Sequence, residues 1–265
     1  MLIIGERINT SRKKINEAVE KRDSDFILSE VKAQLDGGAD IIDVNAGSRF
    51  GSELDDLLWL IDIIQQSLSI RLSIDSTDPN CMRIALERVK EKPMINSITA
   101  EKARFEGMAK VVQDRNCDII GLCMDERGLP KSVEEVIENA NKLVMNLEKI
   151  GIKRDNIYLD PSVQAISVNQ KAGLIAIESI ERIYKELPGV KTICGLSNIS
   201  YSLPKRHLIN RTFLTLLLKA GLSAAIIDPV DRKLVSTLKA ANLILGRDPY
   251  CRNYLTSFRE GKLED

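Results

Sequence analysis

Eight short apolar runs recur along the 265-residue chain, at residues 2–5, 41–44, 72–74, 94–96, 119–122, 157–159, 192–195 and 224–227, and helical stretches separate them. Most of the runs do not alternate polar with apolar residues, which is the pattern of strands covered on both faces. The fourth, within PMINS, is weak in strand propensity and belongs by its place in the series. Residues 131–150 carry the clearest helical period. There Ser132 and Glu135 match a capping box, and Val133, Val136, Ile137, Ala140, Leu143, Val144 and Leu147 share one face. Leu174, Ile177, Ile180, Ile183, Tyr184 and Leu187 form a second such face. Asp78–Pro79 reads as an N-cap followed by proline at the first helical position. Gly151 and Gly189 stand where helices should stop. Parallel strands need crossover connections, and eight strand–helix units in about 250 residues predict a closed barrel. The expected fold is therefore α/β, a single (β/α)8 TIM barrel forming one domain over residues 1–265. A doubly wound open sheet would place a glycine-rich phosphate turn after its first strand, where this chain has ERINTSRKK.

Composition narrows the functional classes. Lys plus Arg and Asp plus Glu number 38 each, so no basic excess points to nucleic acid. No apolar run approaches membrane-span length, and MLIIGERIN lacks the basic leader and cleavage site of a signal peptide. Five scattered cysteines without a CxxC predict neither structural zinc nor a disulfide framework, and a reducing cytoplasm is the expected compartment.

Polar residues gather at the C-terminal ends of the apolar runs: Glu6, Arg7 and Asn9; Asp43 and Asn45; Asp75; Asn96; Asp125; Asp160; Ser197 and Asn198; Asp228. In a barrel these ends meet at one mouth, where active sites form, and the opposite ends show no comparable concentration. Ionised carboxylates only accept hydrogen bonds, whereas carboxamides donate and accept. Such a set suits a flat, nitrogen-rich ring with amidine or amide edges, such as a pterin or a guanine-like group. The aspartates also suit helix caps and βα turns, and Asp43 and Asp228 fit that structural role best. Asp75, Asn96 and Asp160 stand out as a trio on three strands.

Several common chemistries are unsupported. His207 is the only histidine, which argues against a multi-histidine zinc site or a Ser–His–Asp triad, and it reads as a helix-start residue. There is no GxGxxG, Walker A or HExxH motif. Cys123 and Cys194 read as buried filler, and Trp59 as an outer helix packing on the barrel. A glycosidase with paired carboxylates would want aromatic platforms, and aromatic residues are 4% of the chain.

The segments IIGERIN (3–9), DVNAG (43–47), IDST (74–77), MINS (94–97), LDP (159–161), GLSNIS (195–200) and LINRTFL (208–214) occur in an order and at intervals that extend over essentially the whole chain. Through them the sequence resembles the pterin-binding methyltransferases that act between methyltetrahydrofolate and a corrinoid protein. The folate-binding module of cobalamin-dependent methionine synthase is similar too. Dihydropteroate synthases share the expected fold but usually open with GxLNxTPDSF, and this chain has GERIN followed by TSRKK. The resemblance implies that Asp75, Asn96 and Asp160 bind the pterin ring. It implies that Asn198 reaches N5, that Arg206 belongs to the same polar network, and that Gly195 and Ser197 form the surrounding wall. Asn9, Asp43 and Asn45 are expected to support them.

The implied substrate is tetrahydrofolate or its 5-methyl form, and no metal is expected to bind directly. The corrinoid is expected to come from a partner protein docking over the mouth, because the chain is too short for an added cobalamin domain and has no DxHxxG signature. A homodimer formed through outer helices is also expected. Residues 162–170 and 201–206 border the mouth and look less typical, so they are candidates for setting the choice of partner. The alternatives are a dihydropteroate synthase and a noncatalytic folate-binding barrel.

Overall fold

In the computed structural model, which describes residues 1–49, 51–113 and 115–264, all eight expected strands are present and close into a parallel barrel in chain order. They are β1 (Leu2–Asn9), β2 (Ile41–Asn45), β3 (Arg71–Asp75), β4 (Met94–Thr99), β5 (Asp118–Leu122), β6 (Ile157–Asp160), β7 (Lys191–Gly195) and β8 (Ala224–Ile227). The crossover helices are α1 (Lys13–Glu20), α2 (Ser24–Asp36), α3 (Glu53–Ser67), α4 (Pro79–Arg88), α5 (Lys102–Val112), α6 (Val133–Lys149), α7 (Ala172–Glu186), α8 (Arg206–Ala220) and α9 (Arg232–Ile244). A short α10 (Arg252–Arg259) follows them.

The uniform hydrophobicity of the strands has a geometric cause. Successive side chains point to opposite faces, and here both faces are apolar. Ile4, Ile41, Met94, Ile120, Tyr158, Ile193 and Ala224 form one cluster inside the barrel. Their strand neighbours, such as Ile42, Ile95, Ile119 and Leu159, pack instead with the helix shell.

Helix α6 buries all seven residues of its expected face. Ser132 accepts from the Glu135 amide at 3.2 Å, while the Glu135 carboxylate reaches back to the Lys131 amide at 2.7 Å, one residue beyond a standard capping box. Asp78 caps α4 ahead of Pro79. Gly151 and Gly189 both adopt positive φ, the conformation that stops a helix with least strain. The expected face of α7 needs correction: Leu174 and Tyr184 are exposed, and Ala172, Ala176, Ser179, Ile180 and Ile183 point inward. Ile180 and Ile183 keep their expected places, and the small Ala172, Ala176 and Ser179 complete the packed stripe.

Strand β1 runs four residues beyond its expected end because its pairing with β2 shifts register between Gly5 and Ile8. Gln34 of α2 fills the break and accepts from the Arg7 amide at 3.0 Å. A Cβ on Gly5 would lie 2.4 Å from Gln34 Oε1, so glycine is required for this approach. Among the described residues, no helix is long and apolar enough to cross a membrane.

Candidate active site

The strand periodicity that builds the core also builds the site. Two residues beyond the interior apolar layer, the same inward phase carries Glu6 on β1, Asp43 on β2, Asp75 on β3, Asn96 on β4 and Asp160 on β6. All five line one cavity of about 650 Å³ at the C-terminal mouth, a volume typical of small-molecule sites. Ile120, Leu122 and Ile226 supply apolar lining. Gly195, Ser197, Asn198 and Arg206 line the same cavity, as does Asn9.

The turn after β7 explains how Asn198 is presented. Leu196, Ile199 and Ser200 of the 3-10 segment Leu196–Ser200 are buried, so the exposed Asn198 between them is left to face the mouth. Arg206, at the start of α8, fastens this turn by donating to the Ser197 carbonyl at 2.7 Å and to Ser200 Oγ at 3.1 Å. Ser197 donates through Oγ to Glu6 Oε2 at 3.3 Å. Asp160 is held by two backbone amides, Ser162 at 2.7 Å and Gly195 at 3.1 Å. Asn96 donates through Nδ2 to Asp43 at 3.1 Å.

The mouth carboxylates lie close together with few basic partners, and their acidities respond. Burial lifts Asp160 to about 6, against the two amide hydrogen bonds. Burial, followed by the charge of Asp228, lifts Glu6 to about 7. Asp43 and Asp75 are both raised, chiefly by burial, and the negative charge of Asp43 adds to the rise at Asp75. A ligand offering several N–H donors would relieve this desolvation.

The lower end of the barrel carries a charge cluster of a different kind. Asp118 is buried between Arg71 and Lys92, each 2.6 Å away. Its charge is matched within the protein, whereas most of the acids at the mouth lack such a match.

Not every polar strand-end residue enters the cavity. Arg7 has the opposite strand phase and is bound by Glu30 at 2.7 Å and Asp228 at 2.9 Å. Asp125 belongs to a turn with Arg127. Asn45 lies behind the wall, accepting from the Gly47 amide. Asp228 caps the turn after β8 through the Val230 amide and also lines the cavity, so it has both roles. His207 does start α8, but it also borders the cavity, with Nδ1 2.7 Å from Asp231. Sequence reasoning put Glu6 among the residues at the mouth without giving it a role, for which the inward phase of β1 was the available signal, and it did not name Arg12, Asn210 or Asp231. Burial pushes the Cys123 and Cys194 thiols well up, which makes them poor nucleophiles. Among the described residues, no cluster of three or more His, Cys, Asp or Glu could hold a metal ion.

Comparison with known proteins adds an independent line. The family model described as "Pterin binding enzyme" matches residues 5–228. The Methylcorrinoid:tetrahydrofolate methyltransferase of Eubacterium limosum is 33% identical over 99% of this chain and 98% of its own length. The methionine synthase of Mycobacterium leprae (strain TN) is 29% identical over 88% of this chain, which corresponds to 21% of that larger protein. Among solved structures, a dihydropteroate synthase from Clostridium difficile superposes with a TM-score of 0.71 at 22% identity, covering 92% of this chain and 96% of that one. The Coxiella burnetii dihydropteroate synthase superposes with a TM-score of 0.70 at 16% identity, covering 91% and 94%. At those identities the two structures show a shared fold.

Proposed function

The chain belongs to the pterin-binding enzyme family, and on that premise we propose that it is a methyltransferase moving a methyl group between N5 of tetrahydrofolate and the cobalt of a corrinoid protein. The observation that carries this reading is the end-to-end likeness to the Eubacterium limosum protein, whose name states that reaction. The site chemistry supports it. Asp75 and Asp160 are acceptors for the ring N–H and amino groups of a pterin. Asn96, with Nδ2 committed to Asp43, turns Oδ1 towards the ring. Gly195 and Ser197 supply the wall beside it.

The methyl group is held on an amine nitrogen, and nitrogen leaves poorly unless it carries a proton or a strong hydrogen bond. The protein therefore has to fix the ring, exclude competing water and stabilise positive character at N5. Asn198 does the last of these through its amide oxygen, which accepts from a protonated N5. A dipole aimed at charge that changes during transfer stabilises the transition state more than the ground state. Cobalt(I) is itself the nucleophile in one direction, so no histidine base is required for attack. The same residues serve both directions, and the relative's name states transfer from methylcorrinoid to tetrahydrofolate.

The corrinoid comes on a partner protein that docks over the mouth. Its landing surface includes the exposed Val168 and Tyr201 of the two atypical rim segments, which are joined by a 2.9 Å bond from Ser167 Oγ to the Tyr201 carbonyl. Self-association belongs to the same reading, since α7 and α8 expose Leu174, Leu208 and Leu216; sedimentation of the free protein as a dimer is expected. The free thiols fit a reducing cytoplasm.

The decisive experiment mixes the protein with tetrahydrofolate and methylcobalamin, or with methyltetrahydrofolate and cobalt(I) cobalamin, and follows the corrinoid spectrum. Enzyme-dependent demethylation or methylation is expected. Absence of transfer in both directions, together with consumption of a pterin diphosphate without any corrinoid, would replace this reading by dihydropteroate synthesis.

A further inference from the structure

Resting on the methyl-transfer reading, we propose that Glu6 is the group that exchanges the N5 proton, taking it up when tetrahydrofolate is methylated and returning it when methyltetrahydrofolate is demethylated. The reaction requires such a group. Towards methyltetrahydrofolate, the N5–CH3 bond forms as the cobalt–carbon bond breaks, the electron pair stays on cobalt, and N5 must lose its hydrogen as a proton. In reverse, N5 must gain a proton before its bond to carbon yields to cobalt(I). Asn198 can orient that proton, but a carboxamide neither accepts nor releases one near neutrality.

Among the inward-phase carboxylates that the reading does not assign to the ring, Glu6 is less committed than Asp43. Asp160 is tied by two backbone amides and Asp43 by the Asn96 amide. Asp75 is assigned to the ring. Glu6 accepts a single long bond, from Ser197 Oγ at 3.3 Å. That serine is the chain neighbour of Asn198, and both line the cavity with Glu6. The side chain is thus beside the group that addresses N5 and is connected to the same turn.

The surroundings suit a proton carrier at neutral pH. Glu6 is held at about 7, first by burial and then by Asp228 at the end of β8; Asp43 on β2 pushes the same way, while Arg12 from the loop after β1 and the Ser197 hydroxyl oppose them. Arg206 also lines the cavity, and its hydrogen bonds go to the Ser197 carbonyl and to Ser200 Oγ. Brønsted behaviour makes a group titrating near the working pH the most effective in either direction.

The test is single-turnover methyl transfer in both directions across pH, with wild type, Glu6→Gln and Asp228→Asn. Wild type should show mirror-image limbs around neutrality. Methylation of tetrahydrofolate should fail as pH falls and protonates Glu6. Demethylation of methyltetrahydrofolate should fail as pH rises and empties it. Glu6→Gln keeps an acceptor for Ser197, so folate binding should stay within about threefold, while transfer falls about 100-fold and both limbs disappear. Asp228→Asn removes a raising charge, so the midpoint should move to lower pH. Glu6→Gln limbs identical to wild type would overturn the proposal, as would limbs that vanish only in His207→Gln. Those results leave methyl transfer intact. A wild type inactive in both directions would instead overturn the methyl-transfer reading, and this assignment with it.

Discussion

Asn96 and Asp43 are joined across the intervening strand β3 by a 3.1 Å bond from the asparagine amide to the carboxylate. The bond fixes which end of the Asn96 carboxamide is free. With Nδ2 committed to Asp43, the oxygen is the end of this cavity-lining carboxamide left to accept from a ligand. Asp43 is then a positioning residue for Asn96. Asp43→Ala is expected to weaken tetrahydrofolate binding about tenfold, the equivalent of one oriented hydrogen bond. Asn96→Ala should cost at least as much, and the double variant little more than Asn96→Ala alone, because the two losses share one cause. Calorimetric titration of the four proteins completes the cycle. Additive losses would mean that Asp43 holds the ligand independently.

Folate binding should depend on pH through Asp160. Only the ionised form can accept from both a ring N–H and an amino group. Burial raises this group from 3.8 to about 6, so the loss comes well above the usual carboxylate range. Below about pH 6 the affinity is expected to fall by up to about tenfold per pH unit. Asp160→Asn should bind more weakly at pH 7 and lose this dependence. Asp75→Asn should also bind more weakly. Fluorescence titrations at several pH values check all three, and wild-type affinity in both variants would remove these residues from the pterin site.

Asn198 should separate binding from catalysis. It lies on a turn fixed by buried Leu196 and Ile199 and by Arg206, so truncating its side chain should leave the wall in place. Asn198→Ala is expected to lower kcat about 100-fold, the scale of losing one preorganised polar contact, with the folate Kd changed by less than about threefold. Stopped-flow transfer and equilibrium titration together measure the split. An equal loss in both would make the contact a ground-state one.

The fold was legible because each strand is apolar on both faces, a composition that demands a shell of helices around a filled barrel. The lining of the candidate site was legible where a polar residue stood at the end of such a run, as with Asp75, Asn96 and Asp160. Phase along the strand, which sequence reasoning left unused, separates Glu6, which faces inward, from Arg7, which is bound to Glu30 on α2. Residues such as Arg12, His207, Asn210 and Asp231 follow loops or helix starts, where no fixed period marks direction. The register shift in β1 was also hidden, since it depends on Gln34, nearly thirty residues away in α2. Gly5→Ala tests that arrangement. Its Cβ would displace Gln34 and leave the Arg7 amide without its buried acceptor, a loss of about 1–3 kcal/mol in urea unfolding.

The buried acids at the mouth should also cost stability, and Glu6 gives the clearest sign. Its carboxyl is raised from 4.5 to about 7 in the folded protein, so ionisation penalises the folded state more than the unfolded chain. The penalty is absent below the unfolded value of 4.5, develops between 4.5 and about 7, and is complete above that. Glutamine keeps the shape without ionising. Glu6→Gln is therefore expected to stabilise the ligand-free barrel by about 1–3 kcal/mol at alkaline pH, after allowance for water in the open mouth. The gain should shrink as pH falls and vanish near about pH 4. Urea midpoints of wild type and variant across this range measure it. A constant difference at every pH would locate the effect in packing instead of ionisation. A stabilised variant that has lost methyl transfer would show that this carboxylate is retained for chemistry at the expense of the fold.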